Sequence, residues 1–165
     1  MSAGWYYLNV TVHLLAAMYW LGGMFFFALV GAPVLREIDP PDLRARLFQG
    51  LGERFRATGW AAIGVLLVTG TLNLEFRGLL NWEVLSDPAF WSTPYGRTLG
   101  WKLVAVAAML GASALHDFVL GPAASRGEAR SSEALRYRRR AALLARANAL
   151  LGLLVVVLAV RLARG

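Results

Sequence analysis

Four long apolar stretches, at roughly residues 5–30, 57–76, 99–120 and 141–162, alternate with shorter polar connections. Each is about 20 residues or longer, the length at which a helix crosses ~30 Å of hydrocarbon. A segment in lipid must satisfy its own backbone hydrogen bonds, so each stretch predicts a helix. The pattern therefore predicts an all-α integral membrane protein: a four-helix bundle forming one transmembrane domain over residues 1–165. The first stretch opens with "WYYLNV", lacks a basic leader and is too long for a signal peptide, so it reads as a span. No internal repeat stands out.

Composition supports a membrane location: 58% of residues are hydrophobic and the mean hydropathy is +0.52. The absence of cysteine excludes disulfides, iron–sulfur clusters and thiolate metal sites. The net charge of +7 is concentrated in two connections. The first holds Arg36, Arg44, Arg46, Arg54 and Arg56; the third holds Arg126, Arg130, Arg136, Arg138, Arg139, Arg140 and Arg146. The middle connection has only Arg77 and Arg97. Basic connections stay in the cytoplasm, so both termini are expected outside a bacterial-type cytoplasmic (inner) membrane that the chain crosses several times. Arg161 and Arg164 run mildly against this orientation.

The same arginines identify a partner. The stretch "EARSSEALRYRRRAALL" starts the fourth helix and favours anionic headgroups of the lipid bilayer. With no long basic arm or recognition motif, nucleic acid is excluded. The middle connection "NWEVLSDPAFWSTPYG" carries Trp82, Phe90, Trp91 and Tyr95, which suit either a headgroup-level segment or a lid over an outward-facing site.

Ionisable groups at membrane depth mark functional sites by default. The two histidines, His13 and His116, both lie in spans. Asn9 stands one turn above His13 on the same face; Trp20 lies two turns below, followed by Gly22 and Gly23, whose small size admits a flat ligand or another helix. His13 is thus a candidate metal or haem ligand, or else a hydrogen-bonding group between helices. His116 lies about 13 Å deeper along its parallel span at 1.5 Å per residue, so one iron cannot take both from one chain. His116 also reads as an interfacial residue paired with Asp117.

Sixteen of the seventeen basic residues are arginine; the exception is Lys102. It shares a helix face with Met109 and His116, at seven-residue spacing. It either snorkels to headgroups or supplies an amine that can lose its proton, which arginine cannot. Met109 reads as packing or as a soft ligand. Asn73 stands one turn above Thr69, and Glu75 and Arg77 close the second span. These groups suit either a bound ligand or a helix end. Asn148 reads as a hydrogen-bonding link between helices.

Three segments resemble the copper-resistance D (CopD) family of bacterial membrane proteins: "HLLAAMYWLGGMFF", "RFRATGWAAIGVLLVTGTLN" and "TPYGRTLGWKLVAVAAMLGA". That resemblance implies copper uptake or tolerance. A weaker similarity is to HemJ-type protoporphyrinogen oxidases, small four-helix membrane proteins with haem b. Their early histidine, and their later lysine followed by histidine, fall on His13, Lys102 and His116. Two-haem proteins need more histidines than this chain has.

The expectation is a haem b-binding membrane protein with a redox or small-molecule-sensing role, a candidate haem-dependent oxidoreductase. Its cofactor residues would be His13, Lys102, Trp20 and Gly23, and its partner a redox protein or a second copy. The alternatives are copper handling through His13, Lys102, His116 and Met109, and a cofactor-free accessory subunit. The lack of cysteine and the scarcity of methionine argue against high-affinity Cu(I) transport. Reporter fusions at Ala124 and after Gly165 should report opposite sides of the membrane, inside and outside respectively; a cytoplasmic C-terminus would invert the orientation.

Overall fold

A computed structural model describes residues 3–125 and 132–164. Arg126 and Arg130 of the third connection lie outside the described residues. Every regular element among the described residues is helical. The elements are α1 (Ala3–Phe26), a π turn (Phe27–Gly31), α2 (Ala32–Arg36), α3 (Pro41–Phe76), α4 (Trp82–Ser86), α5 (Pro88–Ser92), α6 (Pro94–Leu115), a second π turn (His116–Leu120), α7 (Gly121–Ser125) and α8 (Ser132–Arg164). Four runs are long and apolar enough to cross a membrane: Ala3–Arg36, Pro41–Phe76, Pro94–Ala123 and Arg139–Arg164. The chain is thus an all-helical, multi-pass membrane protein.

The helices overrun the apolar stretches. At 36 residues, α3 is about 54 Å long, well beyond the hydrocarbon thickness. Its first turns, "PDLRARLFQGLGERFRAT", are rich in Leu, Ala, Arg, Gln and Glu, all good helix formers. Hydropathy ends where lipid ends, whereas helix propensity continues. Pro41 opens α3 at a position where its missing N–H is no loss. At the other end Gly78, at φ +68°, lets the chain turn left-handed: Gly78 N–H donates to the Glu75 carbonyl and Leu79 N–H to the Leu74 carbonyl, each at 2.9 Å. Helix α6 starts on Thr93, whose Oγ1 accepts from Gly96 N–H at 3.0 Å. A Cβ at Gly96 would collide with the Phe90 carbonyl, so only glycine fits there.

Contacts divide the chain into two compact units, Met1–Asp87 and Pro88–Gly165. Each is a helical hairpin, α1 against α3 in the first and α6 against α8 in the second. In the first, Tyr6 and Phe76 meet edge to face with centroids 5.6 Å apart, and Phe27 and Phe48 do so at 6.2 Å. Between these clasps Trp20, only 5% exposed, lies on Gly59. In the second, Leu99, Ala105, Met109 and Leu120 are buried from one side and Ala149, Leu158 and Leu162 from the other. The outward faces remain apolar: Leu29, Met18 and Val68 are 72%, 63% and 62% exposed, as lipid-facing residues should be.

Both hairpins share one backbone device. Ala32 N–H reaches back five residues to the Phe27 carbonyl, and Gly121 N–H does the same to His116. In each case a proline follows at the next position, Pro33 or Pro122. Proline cannot donate and its ring crowds the carbonyl four residues back. The wider π turn relieves that crowding without ending the rod.

The Trp20–Gly59 contact generates a stability test. Trp20→Ala should cost about 3 kcal/mol through the cavity it leaves, read as a lower unfolding midpoint in detergent. Gly22 has nothing within 4 Å of an added Cβ, so Gly22→Ala should leave the midpoint unchanged or raise it.

Candidate functional site

The first hairpin carries a polar cluster towards the end where α1 begins and α3 finishes. The four residues come from two helical pairs spaced by one turn, Asn9 and His13 on α1, and Thr69 and Asn73 on α3. Antiparallel packing sets them face to face. Asn9 Nδ2 donates to the Thr69 carbonyl and to Asn73 Oδ1, each at 2.9 Å. His13 Nδ1 lies 2.7 Å from Thr69 Oγ1. Thr69 Oγ1 also donates to the Val65 carbonyl at 2.6 Å, the back-bond to i−4 that threonine makes inside helices. Asn9 and Thr69 are buried and His13 is half-buried.

Neither helix supplies a formal charge here: α1 contains no Asp, Glu, Lys or Arg, and α3 contains none between Ala57 and Leu74. The cluster's own donors and acceptors, Asn9, Thr69 and Asn73, are all neutral. Beside the cluster opens a cleft of about 270 Å³, walled by Trp5, Val12, Leu72 and Phe76, with Asn9 and Thr69 as its polar groups.

Trp20 and Gly23, expected to border a porphyrin, have another use. Trp20 packs on Gly59, and the space a Cβ at Gly23 would take is filled by the Phe55 ring. The small residues of α1 admit a neighbouring helix. Gly23 thus gives its room to Phe55 while the space at Gly22 stays open, and haem b has no support in this geometry.

The other candidates belong to the second hairpin. Lys102, half-buried, and Met109, 7% exposed, lie on the face of α6 that carries Leu99 and Ser113. His116 opens the π turn, and its Nδ1 meets Asp117 Oδ1 at 2.8 Å, with 38% of the His116 side chain exposed. This is the interfacial pairing read from the sequence as one of its two roles. Asn148 Nδ2 donates to Ser113 Oγ at 2.9 Å, the interhelical link expected of it. Among the described residues no group of three or more His, Cys, Asp or Glu is placed to hold a metal ion.

Thr69 is the residue that sequence reasoning underrated. It stood in the second span as a helix-end or ligand group, unconnected to His13. The available signal was the matched one-turn spacing of Asn9–His13 and Thr69–Asn73 in two otherwise apolar helices.

Four apolar rods, a charge-free polar cluster and arginine-rich connections define a small multi-pass membrane protein with one polar centre inside its first hairpin. The chain belongs to the copper resistance protein D family, whose model matches residues 49–162. That match takes in Thr69, Lys102, Met109 and His116 and begins after His13, Trp20 and Gly23. The chain is also 40% identical over 67 residues to an uncharacterized protein of Aquifex aeolicus (strain VF5), a match covering 40% of this chain and 46% of that relative. It therefore spans about half the relative's length. No solved structure matches.

Because Asn148 joins α8 to α6 through Ser113, Asn148→Leu should weaken the second hairpin by about 1 kcal/mol and leave the bond between His13 and Thr69 in the first hairpin in place. The unfolding midpoint and the His13 ring NMR signals would measure the two effects.

Proposed function

We propose that the protein handles copper inside a bacterial cytoplasmic membrane, with the His13 imidazole as the ligand and Cu(I) as the cargo. The observation that carries this reading is the half-buried His13 held by Thr69 within an apolar hairpin, in a chain of the copper resistance protein D family. Imidazole is a good copper ligand in its neutral form.

The valence follows from charge. The cost of desolvating an ion rises with the square of its charge, and Asn9, His13, Thr69 and Asn73 bring no anion to offset it. A monovalent ion is tolerated there far better than Cu(II). With no thiolate available, the site binds weakly, which suits transit rather than storage: an ion that moves on must be able to leave. This reconciles copper handling with the lack of cysteine, which argues only against tight binding.

Cells producing the parent protein should accumulate more copper than cells producing His13→Ala, by about tenfold or more, since even supporting groups around a metal are worth 10–100-fold. Membrane levels of the two proteins should match. Copper accumulation unaffected by His13→Ala would sink the reading, and a strong Soret band in the purified parent would return the assignment to haem.

A further inference from the structure

We propose that Thr69 is a positioning residue for His13: it holds the imidazole as the Nδ1–H tautomer, so that Nε2 carries the lone pair. The choice of copper as the ion that Nε2 meets rests on the reading above; the tautomer does not.

The argument counts protons. A threonine hydroxyl has one hydrogen to give and two lone pairs to offer. Thr69 Oγ1 lies 2.6 Å from the Val65 carbonyl oxygen, which can only accept, so the hydroxyl hydrogen is spent there. The Leu66 carbonyl, at 3.4 Å, competes weakly for the same hydrogen. Towards His13 Nδ1, 2.7 Å away, the same oxygen has only a lone pair left. Nδ1 must therefore carry the hydrogen. A neutral imidazole has one N–H, so Nε2 is the bare nitrogen.

The surroundings keep this order in place. In hydrocarbon no water competes for the Val65 carbonyl, so the back-bond of Thr69 persists. Asn9 fixes the Thr69 backbone one turn above, spending one Nδ2 hydrogen on the Thr69 carbonyl and the other on Asn73. Asn9 and Thr69 are 8% and 7% exposed, so the bond between them is shielded. An imidazole that donates one N–H to a fixed acceptor while its other nitrogen faces an ion is the usual outer-shell arrangement of metal-binding histidines.

The test is nitrogen-15 NMR of the full chain, labelled at histidine, in lipid nanodiscs, with His116→Gln to assign the two rings. The parent should show His13 protonated at Nδ1 and bare at Nε2. Silver(I), a redox-stable stand-in for Cu(I), should move the Nε2 signal selectively. Thr69→Ser should keep the tautomer. Thr69→Val should mix the tautomers and weaken silver binding by about 10–100-fold. A parent protonated at Nε2 would overturn the proposal without any variant, as would a folded Thr69→Val protein with the tautomer unchanged. If the tautomer follows Thr69 but neither silver nor copper binds, the positioning role stands and the copper reading falls.

Discussion

Hydrocarbon accepts and donates no hydrogen bonds, and that constraint organises this protein. Every polar side chain placed within a span must find its partner on a neighbouring helix or its own backbone. The first hairpin answers with Asn9, His13, Thr69 and Asn73, joined across α1 and α3. The second answers with Ser113 and Asn148 across α6 and α8. Because lipid is as apolar as leucine, burial alone does little to hold such helices together. These bonds and the close approach at Gly23 and Gly59 fix which residues face each other. The cluster around His13 therefore serves the fold and the candidate chemistry with the same atoms.

Much of this was legible in the sequence, because the bilayer writes a strong and simple pattern. Four apolar stretches announced four helices, and the arginine-rich connections marked where they leave lipid. The helix ends were less legible: α3 runs back to Pro41 because Leu, Ala and Arg keep a helix going in water as well as in lipid. Adjacent pairs were readable, as with His116 and Asp117, since neighbours in sequence need no register. Contacts across a hairpin were not, since they depend on the register set by the turn. So Thr69 went unconnected to His13. A glycine advertises a gap without saying what fills it, and the gap at Gly23 is filled by Phe55, 32 residues further along the chain, despite the apparent room for a planar ligand.

The family match and the cluster inform each other. The matched residues, 49–162, include the α3 half of the cluster and leave the α1 half outside. The copper role proposed for His13 therefore rests on Thr69 and the packing of the hairpin rather than on the match itself. A neutral site of one imidazole and uncharged oxygens sits at the weak end of metal binding. Weak binding is what the proposed passage of an ion requires, since the ion must be able to leave.

The paired π turns bear on the chain's lone lysine. His13 stands fourteen residues ahead of the turn that begins at Phe27, and Lys102 stands fourteen ahead of the one that begins at His116. Trp20 and Met109 likewise stand seven ahead of their turns, and both are buried. Measured from these backbone landmarks, the two hairpins are variations on one template. The template's ionisable rung is filled once by an aromatic base and once by an aliphatic amine. One architecture thus offers the same rung in two chemical dialects, an imidazole in the first hairpin and an amine in the second.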